Sequence, residues 1–210
     1  MLAQVWATAA RCEGLDGLRV GAASAPRDGE TVSGDGWLVW RRDGALLTLV
    51  VDGLGHGPLA AEARHEAIRI ARGSRENGPA SIVAAIHAGL RATRGAAVAV
   101  SSIDLARGRV RFSGLGNIGA AVLAGGRIRH LVSHNGTAGH HGRKIEEYTY
   151  PWQPGALLVQ HTDGLASHWT LESYPGLSGR HPSLVAGVLY RDFKRGRDDV
   201  AVLVVSGVAA

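Results

Sequence analysis

Three acidic positions in this sequence lie where apolar runs begin or end. Asp52 follows the run 46–51, Asp163 comes shortly after the run 157–159, and Asp198 precedes the run 200–205. Each run is typical of a buried strand, so each carboxylate is expected at the edge of an apolar core. A carboxylate there loses hydration and needs a partner of opposite charge. Because three converging carboxylates repel one another, the pattern predicts a cation between them.

The types of the neighbouring residues indicate which cation would bind. Asp52 is followed by Gly53 and Asp163 by Gly164, and glycine lets a backbone carbonyl come close to a ligand. Asp35 lies just before another predicted strand and is a further candidate ligand. Mg²⁺ and Mn²⁺ prefer carboxylate, carbonyl and water oxygens. A single Asp-Gly pair is a common turn, so the prediction of a Mn²⁺ or Mg²⁺ site depends on the combination.

The elements that must position these residues are mostly short strands. Arg42-Asp43-Gly44 is a hairpin signal between two of them. The pattern predicts strands at 18–25, 36–41, 45–51, 96–104, 109–113, 118–123, 127–132, 145–150, 156–162 and 200–206, with helices at 58–72, 79–94 and 182–193. We therefore expect an α+β fold, in which helices pack outside the faces of a β-sandwich, as one domain over residues 1–210.

Composition excludes several classes of protein. The net charge is +5, but only Lys144 and Lys194 among 23 basic residues are lysines, and the arginines are scattered. That distribution argues against a nucleic-acid partner. The single Cys12 excludes an internal disulfide framework and favours a reducing compartment. No apolar run approaches the ~20 residues that span a bilayer, and 1–12 has no signal-peptide pattern. We expect a cytoplasmic protein that contacts no membrane.

Two other motifs suggest different chemistry. Residues 114–119 match G-x-G-x-x-G, the signature of a dinucleotide site, but a strand rather than a helix is predicted to follow. A tight turn between strands is therefore the favoured interpretation. His134, His140 and His141 could suggest zinc, but they lie in a glycine-rich stretch with no cysteine nearby. A surface loop that borders a substrate groove is the alternative.

The acidic motifs also resemble those of a known family. Residues 33–35 (SGD), 51–57 (VDGLGHG), 161–165 (HTDGL) and 198–202 (DDVAV) look like the ordered motifs of the metal-dependent protein phosphatases, the protein phosphatase 2C class. The bacterial SpoIIE and RsbU branch is the most similar, and within it the short stressosome feedback phosphatases. The resemblance covers residues 17–206.

The resemblance implies a fold and a metal site. The fold would be two antiparallel β-sheets flanked by helices, with two Mn²⁺ or Mg²⁺ ions at one edge. Asp52 would bridge both ions and the Gly53 carbonyl would bind one of them. Asp163 and Asp198 would bind the other, and Asp35 would act nearby, through water or as an extra ligand. A pair of ions activates water and stabilises charge on a phosphoryl group.

Other positions depart from the family pattern or match it less closely. Asp199 stands where many relatives have Asn, so it is a secondary candidate. Larger relatives have a histidine acid where this chain has Leu54, and His56 follows two residues later as a possible substitute. Arg27 lies where an arginine could hold phosphate. His168 and Trp169, after the Asp163 turn, are candidates for substrate contact.

The function that follows is a Mn²⁺- or Mg²⁺-dependent serine/threonine protein phosphatase. Its expected substrates are phosphorylated STAS-domain regulatory proteins of the stressosome type, bound through the loops 135–144 and 166–180. Two alternatives stay open: a catalytically silent phosphatase fold that serves as a binding module, and a hydrolase of small phosphoesters. The complete set of acidic residues favours an active enzyme.

Overall fold

Two antiparallel sheets pack face to face in the computed structural model, which describes residues 4–6, 17–76, 78–142 and 144–207. The described strands are β1 (Gln4–Trp6), β2 (Leu18–Ala25), β3 (Asp35–Arg42), β4 (Ala45–Gly53), β5 (Ala96–Asp104), β6 (Arg109–Leu115), β7 (Gly119–Ala124), β8 (Arg127–His130), β9 (Tyr148–Pro151), β10 (Leu157–His161) and β11 (Val200–Gly207). The described α-helices are α1 (Pro58–Gly73), α2 (Pro79–Gly89) and α3 (Pro182–Phe193). Cys12 lies outside the described residues.

The strand order mixes distant parts of the chain. One sheet has the order β1-β2-β11-β10-β7-β8 and the other has the order β3-β4-β5-β6-β9, and every pair is antiparallel. The last described strand, β11, therefore lies between β2 and β10 in the first sheet. This arrangement brings the segment before β11 to the same edge as the segment after β10.

Both faces of the central strands are buried, which explains their continuous apolar runs. In β4, Leu46 and Val50 face the other sheet, whereas Leu47, Leu49 and Val51 face the helices. A strand that is half exposed would instead alternate between apolar and polar residues. The strand formed by residues 46–51 therefore lies between two apolar layers.

The helices cover the two outer faces. Helices α1 and α2 pack on the five-stranded sheet, and α3 packs on the six-stranded sheet. Each begins with a proline (Pro58, Pro79 and Pro182), which suits the first turn because its missing N–H would have no helical partner there. The predicted sandwich of two sheets flanked by helices is confirmed.

The predicted hairpin is also confirmed in detail. Arg42 pairs with Ala45, and both intervening residues have left-handed backbone angles, with φ of 49° at Asp43 and 76° at Gly44. Two consecutive positive φ values are typical of the tight turn that matches the twist of antiparallel strands.

Several predicted boundaries were wrong. The second helix ends at Gly89 and continues as a 3₁₀ turn over Leu90–Ala92. The strand predicted at 127–132 ends at His130, and the one predicted at 145–150 begins at Tyr148. Residues before Tyr148 instead make ion pairs, as Glu147 does with Arg111 at 3.2 Å. Strand β1 was not predicted.

No helix in the described part of the chain combines the length and apolar character that a membrane crossing requires.

We predict that the contact between β2 and α3 tolerates no side chain at Gly21. A Cβ atom there would lie 2.0 Å from the backbone nitrogen of Ser183, so Gly21→Ala must displace α3 and should lower the free energy of unfolding by about 2 kcal/mol or more. The matched control is Gly187→Ala in α3, where a Cβ meets nothing within 4 Å. It should raise stability by roughly 0.5–1 kcal/mol. Denaturant unfolding of both variants tests this, and equal effects would contradict it.

Candidate active site

The first two carboxylates come from neighbouring strands of the five-stranded sheet. Asp35 begins β3 and Asp52 lies near the end of β4, and the two residues are direct partners in the antiparallel register. Asp35 is only 3% exposed, and its Oδ2 atom has no hydrogen-bond partner. Asp52 is partly exposed. The sheet therefore holds two adjacent acidic groups where β3 begins and β4 ends, one buried and one partly exposed.

The other acidic residues come from the six-stranded sheet. Asp163 follows β10, and Asp198 and Asp199 precede β11, which pairs with β10 in antiparallel register. The turn after β10 is fixed to β11, since the Thr162 N–H donates to the Ala201 carbonyl at 3.0 Å and the Ala201 N–H donates to Thr162 Oγ1 at 2.9 Å. The antiparallel pairing thus places Asp163 and Asp198 at the same edge.

Residues from both sheets line one pocket of about 160 Å³. Asp52, Asp163 and Asp198 lie in its wall together with Asn117 and Thr137. The structure therefore brings together the three carboxylates that the sequence pattern singled out. Asp35 and Gly53 do not line this pocket: Asp35 lies behind Asp52 and Gly53 is buried. The metal-binding roles of all five residues stay predictions.

Burial and mutual repulsion raise the pKa values of these carboxyl groups. Burial raises the pKa of Asp52 to about 7, with further contributions from the charges of Asp163, Asp198 and Asp199. Burial also raises the pKa of Asp35 well above its ordinary value, and the charge of Asp52 adds to the shift. The pKa of Asp163 is raised by burial and by Asp198. A cation would relieve this repulsion.

The chemistry of the pocket fits a hard divalent cation. Its ionisable donors are carboxylates, which suit Mg²⁺ and Mn²⁺, and the unpartnered Oδ2 of Asp35 is a buried acceptor beside them. No three His, Cys, Asp or Glu side chains in residues 4–6, 17–76, 78–142 and 144–207 gather around one point as a ready set of ligands. An ion would therefore be held by few carboxylates and complete its shell with water, as Mg²⁺ commonly does.

Asp199 has a structural role that differs from the predicted one. It is 1% exposed, and its two carboxylate oxygens accept the backbone N–H groups of Arg27 at 2.7 Å and Gly34 at 2.5 Å. Asp198, in contrast, is exposed and lines the pocket. The two neighbouring carboxylates therefore have different roles. Asp199 anchors the segment before β3, and Asp198 faces the pocket. Both oxygens of Asp199 are thus engaged by the backbone, and its secondary metal-binding role stays a prediction.

Asn117 is a site residue that the sequence pattern did not identify. It lies in the turn between β6 and β7, and its Nδ2 donates to Oδ2 of Asp163 at 2.8 Å. The glycine-rich stretch 114–119 correctly predicted a turn between strands rather than a dinucleotide site. Nothing in that stretch indicated that the turn would reach a carboxylate that lies 46 residues later in the chain.

The predicted histidines do not gather at the site. His56 is exposed and its Nδ1 pairs with Glu30 at 2.6 Å, and it does not line the pocket. His134 bonds to the Tyr148 hydroxyl at 2.9 Å, and His140 to the Thr93 carbonyl at 3.1 Å. Among the described residues, the structure therefore gives no support to the zinc interpretation or to His56 as the acid of the reaction.

Trp169 is largely buried, and its contact with substrate stays a prediction. It is 6% exposed, and its Nε1–H donates to Nε2 of His161 at 3.0 Å within the core under the six-stranded sheet. Its neighbour His168 is exposed and packs its ring edge against Phe193, with centroids 6.5 Å apart. Alternation along the segment therefore buries one of the two residues. Arg27 contributes a backbone N–H rather than a demonstrated phosphate contact.

Mutation of Asp199 should destabilise the fold much more than mutation of its neighbour Asp198. Asp199→Ala removes the acceptor of the buried Gly34 N–H and of the partly buried Arg27 N–H, and we expect it to lower the free energy of unfolding by about 2–4 kcal/mol. Asp198→Asn should change stability by less than about 1 kcal/mol, because an amide oxygen can still accept the Asp199 N–H that Asp198 now accepts at 2.9 Å. Denaturant unfolding of both variants in chelator distinguishes the roles, and a larger loss for Asp198→Asn would contradict them.

The repulsion among the carboxylates predicts a pH dependence of stability without metal. The pKa of Asp52 is about 7 in the folded chain and 3.8 in the reference state, so ionisation destabilises the fold as pH rises from about 4 to 7. The Asp52→Asn variant has no carboxyl group to ionise at this position, so it does not lose stability in this way. In chelator at pH 8 it should melt at least about 2–4 °C above the parent, and the difference should shrink at pH 5.

The matched control for this measurement is Asp104→Asn, at the other end of β5. A hydrogen bond from Arg107 lowers the pKa of Asp104, so its ionised form favours the fold. Its replacement should lower the melting temperature at pH 8. An advantage of Asp52→Asn that is equal at pH 5 and pH 8 would show that titration is not the cause.

Known proteins share both the sequence pattern and the fold. Residues 42–207 match the family described as Stage II sporulation protein E (SpoIIE). The phosphoserine phosphatase RsbX of Bacillus subtilis (strain 168) is 23% identical over 140 residues, which cover 66% of this chain and 70% of that protein.

Solved structures extend the match to nearly the whole chain. A chain from a structure described as "The bacterial stressosome: a modular system that has been adapted to control secondary messenger signaling" has a TM-score of 0.83 and 30% identity, covering 90% of this chain and 98% of that one. The structure of RsbX in complex with magnesium has a TM-score of 0.78 and 18% identity, and the match covers 98% of this chain and 100% of that one.

These matches agree with the acidic motifs and with the sandwich of two sheets. The sequence-based predictions of the family, the fold class and the phosphatase activity are confirmed. The chain belongs to the SpoIIE family of protein phosphatase 2C-like phosphatases.

Proposed function

We propose that this chain removes phosphate from phosphoserine or phosphothreonine in a regulatory phosphoprotein, with Mn²⁺ or Mg²⁺ bound in the acidic pocket. The observation that carries the proposal is the convergence of Asp52, Asp163 and Asp198 from two sheets on one pocket, in a member of a phosphatase family. A metal requirement is supported by the raised pKa values of the buried carboxyl groups, since their repulsion needs a compensating charge.

Each acidic residue has a proposed part in holding the metal. Asp52 would contact both ions and the Gly53 carbonyl would bind one of them. Asp163 and Asp198 would bind the other, and Asp35, the register partner of Asp52, would act nearby through water or as an extra ligand. When bound, such ions supply an activated water and neutralise charge on the phosphoryl group. The carboxyl group of Asp52, with its pKa of about 7, must be free of its proton to serve as a ligand.

The surrounding residues keep the carboxylates in place. The Asn117 amide donates to one oxygen of Asp163 and leaves the other oxygen available. The Asp199 carboxylate holds Gly34, whose carbonyl in turn accepts the Gly53 N–H at 3.1 Å. These hydrogen bonds fix the backbone around the ligands before a substrate arrives, which is how a rigid site avoids reorganisation during the reaction.

A folded phosphoprotein is the proposed substrate, and a phosphorylated STAS-domain protein of the stressosome type is the first candidate. The likeness to a stressosome structure and to RsbX supports this choice. The loop 135–144 is suitably placed for contact, since Gly136 and Thr137 line the pocket wall. We propose the cytoplasm as its compartment, because the sequence contains a single cysteine.

The activity is tested with a phosphorylated STAS-domain protein and p-nitrophenyl phosphate, each with Mn²⁺, with Mg²⁺ and with EDTA. Both substrates should be hydrolysed only with metal. Asp52→Asn and Asp163→Asn should each lower kcat/KM by more than about 100-fold. Mutation of residues that only hydrogen-bond to a metal ligand already lowers metal affinity or activity by up to ~100-fold. Asp104→Asn, at the far end of β5, is the control that should keep its activity.

Different outcomes would contradict different parts of the proposal. Full turnover in EDTA would exclude the metal mechanism, and near-parental rates in Asp52→Asn would exclude the assigned ligand. Hydrolysis of p-nitrophenyl phosphate without any of the phosphoprotein would indicate a small-phosphoester hydrolase. Failure with both substrates would support a catalytically silent binding module.

A further inference from the structure

A second and larger pocket adjoins the acidic one. It has a volume of about 350 Å³ and shares Asn117 and Asp163 with the metal-binding pocket. Its other polar lining residues are His130, His161, Ser167 and Arg195, together with Trp169. Asp163 is the only acidic residue in this lining, and Arg195 is the only lysine or arginine in it. Together, the two adjoining pockets offer more space than a phosphoryl group alone would occupy.

The floor of this second pocket is rigid and uncharged. Nδ1 of His161 lies 2.8 Å from the Thr162 carbonyl, so it carries the proton, and Nε2 accepts the Trp169 N–H at 3.0 Å. Both ring nitrogens are therefore used. Because Nε2 accepts a hydrogen bond, it carries no proton, and the ring is neutral in this arrangement. The His161 ring beside Ser167 and Trp169 is therefore fixed in orientation, and the positive charge of the pocket comes from other residues in its lining.

Arg195 supplies that charge from a fixed position. Its backbone N–H donates to the Gly164 carbonyl at 2.8 Å, and the preceding residue, Lys194, forms an isolated β-bridge with Leu165. These contacts hold Arg195 beside the Asp163 turn. Among the described residues, its guanidinium forms no ion pair or hydrogen bond. Arg69, Arg107 and Arg191 each pair with a carboxylate.

Strand β8 lies at the edge of the six-stranded sheet, and all of its residues are exposed. His130 lines the pocket. Arg127 and Arg129 alternate with Ile128 and His130 along the strand, so they point to the other face of the sheet. Of the residues that line the pocket, Arg195 is therefore the one whose charge would attract an acidic segment of a partner.

We propose that this second pocket is a specificity subsite that binds an acidic side chain, Asp or Glu, close in sequence to the phosphorylated residue of the substrate. The inference rests on the proposed phosphatase function and names a substrate class for it. A phosphoserine in the metal pocket would place its neighbours along the shared wall of Asn117 and Asp163. An extended chain advances about 3.3–3.6 Å per residue, so residues one to three positions away reach Arg195.

The test compares two phosphoserine peptides that differ only in carrying Glu or Gln at the three positions on either side of the phosphoserine. With Mg²⁺, the parent protein should hydrolyse the Glu peptide with a kcat/KM roughly 2- to 5-fold higher, the range expected of one exposed charge pair. In Arg195→Gln the ratio of the two values should fall to about 1. Arg197→Gln is the matched control. It lies in the same exposed loop but does not line the pocket, and it should keep the parental ratio.

A binding measurement separates this inference from the proposed activity. The same two peptides with a non-hydrolysable phosphonate in place of the phosphate are titrated by fluorescence anisotropy. The parent protein should bind the Glu peptide more tightly by a similar factor, and Arg195→Gln should not. This result can be read even if the parent hydrolyses neither phosphopeptide, an outcome that would reject the proposed function alone.

Two outcomes would overturn the subsite. Equal hydrolysis and equal binding of the two peptides by the parent would show that no acidic side chain is recognised, and would leave the phosphatase activity in place. Equal losses in Arg195→Gln for both peptides and for p-nitrophenyl phosphate would show that Arg195 acts on the phosphoryl group itself.

Discussion

The site depends on one hydrogen-bonded junction that joins the two sheets. The carboxylate of Asp199, which precedes β11 in one sheet, accepts the N–H of Gly34, and the Gly34 carbonyl accepts the N–H of Gly53 at the end of β4 in the other. Gly34 fits between them because a Cβ atom would come within 2.5 Å of the Ala60 Cβ. A buried carboxylate that accepts backbone N–H groups is a strong junction, and it holds the two sheet edges in register where Asp52 and Asp163 must meet.

The same edge carries an electrostatic cost that the fold does not relieve by itself. Burial and repulsion raise the pKa values of Asp35, Asp52 and Asp163. At Asp163 the charge of Arg195 and the hydrogen bond from Asn117 offset only part of this cost. Natural sites often retain such local instability because a ligand removes it. Here the carboxyl groups that the core disfavours are those that a divalent cation would stabilise.

The acidic motifs divide into residues that face the pocket and residues that build its walls. In the stretch 161–165, Asp163 faces the pocket, whereas His161 anchors Trp169 and Thr162 ties the turn to β11. In the pair before β11, Asp198 is exposed and Asp199 is buried. A short motif can therefore combine residues that face the pocket with residues that hold the surrounding backbone in place.

The sequence by itself determined the elements, the acidic pocket and the family. Apolar runs identified every described strand except β1, the prolines identified the first residue of each helix, and carboxylates next to the apolar runs identified Asp52, Asp163 and Asp198. These signals are local, since strand patterning and turn chemistry act over a few residues. Only the tertiary structure decided the roles of Asn117, Asp199, Trp169 and Arg195. Their partners come from distant parts of the chain, as with Gly34 and Asp199, which are 165 residues apart, and sheet pairing and burial alone bring them into contact.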